Sequence, residues 1–239
     1  MFAFPPGTST KQVPTLEPSF WSNFLSTYSL FFQNIYSKPK SEEKDDFRHF
    51  IIDKSWNGTE LPPESQTLFI LKPYKTNETH SGLYIYFNAP FYNDPAVSDD
   101  VPPGTVDKLW NYEVFELFLL AEGGNYLEIE LAPKGHYLLL VLNQNRDVLE
   151  YGLKLENYKT LIDASDATEK AGRWHAGTFI PCSYFPGKLQ KFNAYSIHKS
   201  GADRLYTALF PTPPGKYDAP DFHRLEYFQE LGLMDPCAS

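Results

Sequence analysis

Glu116, Glu128 and Glu130 are the residues of this chain whose types and spacing could do chemistry together. They fall in Glu113-Val-Phe-Glu-Leu-Phe-Leu-Leu120 and Tyr126-Leu-Glu-Ile-Glu-Leu131, two runs separated by Ala121-Glu-Gly-Gly-Asn125. The pattern reads as the two strands of a hairpin, and the register of a hairpin is decided by which side chains share a face. A turn centred on Gly123 sets Phe115 opposite Leu131, Leu117 opposite Ile129 and Leu119 opposite Leu127, which makes one apolar face. A slip of one residue would set Leu117 against Glu130. In the chosen register the other face carries Glu116 directly opposite Glu130, with Glu128 two residues along, among Val114, Phe118 and Tyr126. A turn at Lys134-Gly135 then returns the chain with Leu139 beside Glu130 and Val141 beside Glu128.

Like charges directly opposite one another destabilise a strand pair by a few tenths of a kcal/mol up to about 1 kcal/mol. A compensating group is therefore expected. It is a cation of the chain itself, with Arg173, Arg204 and Arg224 as candidates, a proton shared between the acids, a metal, or a bound polar ligand. Carboxylates accept hydrogen bonds from hydroxyls while aromatic rings stack on the apolar faces of sugars. Trp110 and Tyr112, at the entry to the hairpin, could supply those rings or simply pack at the core edge. The ligand-binding set on the first reading is Trp110, Tyr112, Glu116, Glu128 and Glu130, and its ligand is a saccharide or similar small polar molecule. On a second reading the same face is a protein-interaction surface, covered by a helix at 20–36 or by a partner chain. A third reading takes two of the acids as the pair of a glycoside hydrolase, but no separate acid in a cleft can be assigned.

The remaining candidates offer no catalytic or metal site. His175 and His198 lie in separate predicted strands without metal-ligand spacing. Cys182 has no assignable His and Asn/Asp partners. No phosphate-binding glycine loop and no Gly-x-Ser-x-Gly elbow occurs, so no cofactor is implied and the chain reads as a non-catalytic module.

These residues must be positioned by a β framework. From Phe47 onward, short runs rich in Phe, Tyr, Ile, Val and Leu alternate with turn residues, predicting an all-β antiparallel sandwich over residues 46–239. Strands are expected at 47–53, 66–72, 82–88, 112–120, 126–132, 136–143, 147–155, 157–162, 172–180, 191–198 and 204–210. Ala89–Lys108, with its prolines and acids, reads as a long surface loop of the kind that borders binding sites. Residues 1–45 form a short N-terminal extension. Within it Phe20, Phe24, Tyr28, Phe31 and Ile35 recur at helical spacing, predicting an amphipathic helix over 20–36, followed by the charged linker Ser37–Asp46.

Composition narrows the partners. The formal charge of −9 and the absence of a basic stripe argue against nucleic acid. The segment Phe20–Tyr36 is too short and polar to span a bilayer, and the N-terminus lacks the pattern of a secretory signal. Two cysteines, Cys182 and Cys237, are too few for a disulfide framework, so reduced thiols and a cytoplasmic location are the default. The sequons at Asn57 and Asn77 then read as chance matches.

Several segments also carry a family resemblance. Trp56-Asn-Gly58, Ala89-Pro-Phe-Tyr-Asn-Asp-Pro95, Leu109-Trp-Asn-Tyr-Glu-Val-Phe-Glu116 and Tyr126–His136 resemble the family typified by the protein of open reading frame 33 on human chromosome 4. Pro181–Pro186, Lys191–His198, Ala208–Pro211 and Pro220–Phe228 extend the likeness over roughly residues 50–230. That family has no established activity. More distantly, Trp110–Phe118 followed by Tyr126-x-Glu128 and Pro133-x-Gly135 resembles the family 9 carbohydrate-binding modules. This second resemblance implies an immunoglobulin-like β-sandwich and makes sugar binding an expectation. Asn111 stands where those modules usually carry an acid, so no acid-dependent metal or ligand contact is implied there.

Overall fold

The computed structural model describes residues 47–75, 81–163 and 172–238, and the helix expected at 20–36 lies outside them. Thirteen strands follow in chain order: β1 (Arg48–Ile52), β2 (Thr67–Tyr74), β3 (Gly82–Phe91), β4 (Gly104–Thr105), β5 (Val114–Ala121), β6 (Tyr126–Leu131), β7 (His136–Leu142), β8 (Val148–Tyr151), β9 (Lys159–Asp163), β10 (Gly172–Pro181), β11 (Leu189–His198), β12 (Leu205–Ala208) and β13 (Gln229–Glu230). Every run expected as a strand contains one. The two-residue strands β4 and β13 carry no alternation and were not expected. Helical structure among the described residues is confined to single 3₁₀ turns such as Leu109–Asn111.

The strands form an antiparallel sandwich. A five-stranded sheet has the order β1-β2-β3-β10-β9. The larger sheet has the order β12-β11-β5-β6-β7-β4, with β13 added on β11 and β8 on β7. The pairing of β4 with β7 is parallel and two residues long. Between the sheets, Phe69, Leu83, Ile85, Phe87, Trp174 and Ile180 meet Phe115, Leu117, Leu119, Leu127, Ile129 and Leu139. Phe87 stacks on Phe115 with centroids 4.4 Å apart and meets Trp174 edge-on at 4.7 Å. Gly82 opens β3 against Pro181, where an added Cβ would fall 2.2 Å from the Ile180 carbonyl oxygen. A side chain there would push the strands apart.

The larger sheet is buried on its outer face as well. Val114, Phe118, Tyr126, Leu138, Leu140, Tyr195 and Ile197 form a second core with Val97 and Leu109 from one long connection and Phe222, Leu225 and Phe228 from another. Strands β5 (VFELFLLA) and β7 (HYLLLVL) are apolar at both parities, the pattern of strands covered on two sides.

Cys182 and Cys237 form a disulfide with a Cα–Cα distance of 5.6 Å, which corrects the expectation of two reduced thiols. A separation of 55 residues hid the pair. The pairing of β13 with β11 returns the C-terminal segment to the sandwich. On the chain-entropy model a closed loop of this length contributes about 4 kcal/mol. Cys182→Ser, or reduction, is expected to lower the denaturant midpoint accordingly, and an unchanged midpoint would contradict this. A cytoplasmic location remains a proposal that the same pair tests, since alkylation trapping in intact cells should then find free thiols.

Candidate functional site

The hairpin has the register read from its alternation. Phe115 pairs with Leu131, Glu116 with Glu130, Leu117 with Ile129 and Leu119 with Leu127. Gly123 and Gly124 take positive φ of 87° and 90° in the turn. The next strand corrects the sequence reading by one residue. Leu138 lies beside Glu130 and Leu140 beside Glu128, whereas Leu139 and Val141 face the core between the sheets. The cause is the connection of Pro133, Lys134 and Gly135, closed by Ala132 N–H donating to the His136 oxygen at 2.9 Å, with Gly135 in the left-handed region.

The three glutamates therefore share a face, and that face is covered. All three side chains are buried beside Phe118, Tyr126, Leu138, Leu140 and Tyr195. Glu116 Oε1, Glu128 Oε2 and both oxygens of Glu130 have no partner in hydrogen-bonding geometry. Burial pushes the Glu116 carboxyl well above its usual range, with Glu128 adding to the shift and Arg204 opposing it. Burial raises Glu128 to about 7. Glu130 is raised well above its usual range by burial, then by Glu116 and Glu128, while the Trp110 backbone N–H works the other way. These groups meet the cost of burying charge by holding protons.

The cations proposed as neutralising partners are engaged elsewhere. Arg204 donates to the Trp110 oxygen at 2.7 Å and the Asn111 oxygen at 3.1 Å, so it anchors the turn that covers the glutamates. Arg173 donates to Asn88 on the other sheet. Arg224 donates to the Asp221 oxygen and lies over the Tyr217 ring. Among the described residues, no Lys or Arg forms an ion pair with the three glutamates.

Trp110 and Tyr112 lie where the covering turn enters β5. Trp110 is 38% exposed, while Tyr112 packs half-buried against the second core. The structure adds Tyr151, which sequence reasoning missed because β8 is short and fully exposed. Tyr151 pairs with Leu140, itself opposite Glu128, and so belongs to the glutamate face. Its hydroxyl donates to Asp107 Oδ1, and its side chain is 53% exposed. Two accessible rings thus flank the lid of a buried acidic cluster. The five residues named from sequence do not form an open groove.

A second buried polar group also escaped the sequence reading. Glu113 accepts from Tyr92 N–H at 2.9 Å, from Asn93 N–H at 2.7 Å and from His198 Nδ1 at 2.9 Å. His198 Nε2 has no partner. Glu113 and His198 are separated by 85 residues and lack metal-ligand spacing, so the sequence held no signal for the pair. Among the described residues, no group of three His, Cys, Asp or Glu side chains could hold a metal ion. No helix among them is long and apolar enough to cross a membrane.

No protein-family model matches the chain. It is 36% identical over 189 residues to the UPF0462 protein C4orf33 homolog of Danio rerio, covering 77% of this chain and 89% of that protein. The homolog of Rattus norvegicus is 36% identical over 188 residues, covering 77% and 87%. The human protein, UPF0462 protein C4orf33, is 34% identical over 188 residues with the same coverage. Among solved structures, the fold is similar to a "putative carbohydrate-binding protein" from Bacteroides uniformis, with a TM-score of 0.52 at 16% identity over 86% of this chain and 90% of that one.

Proposed function

The chain belongs to the UPF0462 family typified by C4orf33, and on that premise we propose that it is a non-catalytic binding module for a saccharide. The observation that carries the proposal is the pair of accessible rings at the edge of the glutamate face, Trp110 in the turn whose backbone Arg204 anchors and Tyr151 bonded to Asp107. Rings fixed before the ligand arrives stack on a sugar's apolar face at low entropic cost. Asp107 and the Asn111 side chain offer polar groups at the same edge. Glu116, Glu128 and Glu130 serve as the floor beneath this rim, because burial keeps their oxygens from the ligand, and Tyr112 supports the turn from below. A solved neighbour described as carbohydrate-binding supports the same ligand class through its fold alone.

Hydrolysis would require two carboxyl groups facing a substrate across a cleft, and the buried pair Glu116 and Glu130 does not. The protein-interaction reading draws on β8, an edge strand whose Val148 and Leu149 are both 51% exposed.

A glycan panel screened against the full chain, followed by calorimetric titration of any hit, tests the proposal. Trp110→Ala and Tyr151→Ala are each expected to weaken binding about tenfold, whereas Leu161→Ala on the other sheet leaves it unchanged. A blank panel, or a hit indifferent to Trp110→Ala, sinks the saccharide rim.

A further inference from the structure

The connection that covers the outer face of the larger sheet also makes a recess of its own. Trp56, Phe222 and Tyr227 wall it, and Thr212, Asp221 and Arg224 edge it. Its floor is the buried Tyr195, on which Phe222 stacks with centroids 4.0 Å apart and planes 8° from parallel. Tyr195 also donates from its hydroxyl to the Phe222 oxygen at 3.1 Å, so the Phe222 wall is fixed from below. Trp56 is fixed through its backbone, whose N–H donates to the Tyr206 oxygen at 2.9 Å and whose oxygen accepts from Thr212 N–H at 2.9 Å and from its hydroxyl at 3.1 Å. The three wall rings remain partly exposed.

The charges at the edge do not balance. Asp221 pairs with Arg146 at 2.7 Å and lies 3.9 Å from Arg224 Nη1, so one carboxylate faces two guanidinium groups. Arg224 is clamped with its guanidinium carbon 3.8 Å from the centroid of the Tyr217 ring. Nη1 donates to the Asp221 backbone oxygen at 3.2 Å. Its remaining N–H groups carry no partner among the described residues. A planar fork held in place and short of acceptors suits one carboxylate. An aromatic wall beside it suits the apolar face of a sugar ring.

We propose that the mouth of this recess, which itself has room for about one water molecule, binds an acidic sugar residue of the hexuronate class, its ring over the exposed edge of Trp56 and its carboxylate on Arg224. The site is separate from the Trp110–Tyr151 rim and stands whether or not that rim binds sugar.

The probes are free glucuronate, glucose and acetate, titrated into the full chain and followed by amide chemical shifts and calorimetry. Glucuronate is expected to bind at least about tenfold more tightly than either glucose or acetate, because only it uses both the wall and the fork. Arg224→Gln should abolish the preference for glucuronate over glucose. Arg224→Lys, which keeps the charge without the fork, should retain only part of it. Trp56→Ala should weaken glucuronate about tenfold while Leu161→Ala, on the other sheet, leaves it unchanged. Unfolding midpoints for each variant separate loss of the site from loss of the fold, and Arg224→Lys carries the comparison if Arg224→Gln unfolds. The proposal is overturned if glucuronate binds no better than glucose, if its preference survives Arg224→Gln, or if Trp56→Ala leaves its binding unchanged.

Discussion

Between pH 6.5 and about pH 8.5 the protein is expected to lose stability, and Glu130→Gln is expected to remove much of that loss. Glu116, Glu128 and Glu130 all have native pKa values raised above those of the unfolded chain. The native state therefore holds more protons than the unfolded state over the interval between the two values, and stability falls as pH rises through it. For Glu128 the interval runs from 4.5 to about 7, a displacement of about 3 kcal/mol in total. Roughly 1 kcal/mol of that falls above pH 6.5, and Glu116 and Glu130 add to it. Below pH 6.5 an opposite contribution interferes. Burial depresses His223 from 6.5 to about 4 and lowers His175 as well, so their contributions grow as pH rises and are complete only about one unit above 6.5, with His223 still adding about 0.4 kcal/mol beyond pH 6.5. The difference in denaturant midpoint between the parent and Glu130→Gln across the upper window isolates the acids, because both proteins carry the same histidines. Glu130→Gln keeps the shape of the side chain without requiring a proton, so the variant should be the more stable protein at pH 8.5 and close to the parent at pH 6.5. Midpoints of parent and variant that move in parallel across this window would show that Glu130 does not carry the extra proton.

The cluster itself was legible, because an apolar alternation admits one register and that register forces Glu116 opposite Glu130. What the alternation did not reveal was the lid. Leu138 and Leu140 belong to the glutamate face, so β7 already carried apolar residues at both parities. A two-sided apolar strand announces a cover, but nothing local says which segment supplies it. The cover came from Leu109–Asn111 and from the Phe222–Phe228 region, neither of which has a period to read. Tyr151 was hidden for a related reason. A four-residue edge strand with every side chain exposed gives no burial pattern, and its place depends on a bulge in its pairing with β7. The slip at β7 has a smaller cause, a three-residue connection with Gly135 in the left-handed region, which shifts each later pairing by one residue. The disulfide and the Glu113–His198 pair join positions 55 and 85 residues apart, and separations of that size are closed only by the tertiary fold.

Glu113→Ala is expected to cost about 3–5 kcal/mol, a large effect for one surface-loop anchor. Its carboxyl is buried and accepts three hydrogen bonds, from the backbone of Tyr92, the backbone of Asn93 and the ring of His198. Removing it leaves three donors without an acceptor: the buried His198 ring, at about 1–3 kcal/mol, and the half-buried Tyr92 and exposed Asn93 amides, which lose the bonds that fix the loop. Relaxation has little scope, since Asn93 is held at a positive φ of 54° and Pro95 O accepts from Glu113 N–H at 2.8 Å, so the turn is tied to this residue from both sides. Glu113→Gln keeps one acceptor oxygen and should cost distinctly less than Glu113→Ala. The difference between the two variants then measures the acceptor and not the packing volume. Hydrogen exchange supplies the local reading: the Tyr92 and Asn93 amides should lose protection in Glu113→Ala while amides of β6, in the middle of the larger sheet, keep theirs. The same change should weaken saccharide binding at the rim, because the anchored segment continues into the turn that presents Trp110. If Glu113→Ala unfolds within about 1 kcal/mol of the parent, the carboxyl is not the anchor of this connection, and the geometry of the lid must be set by Arg204 instead.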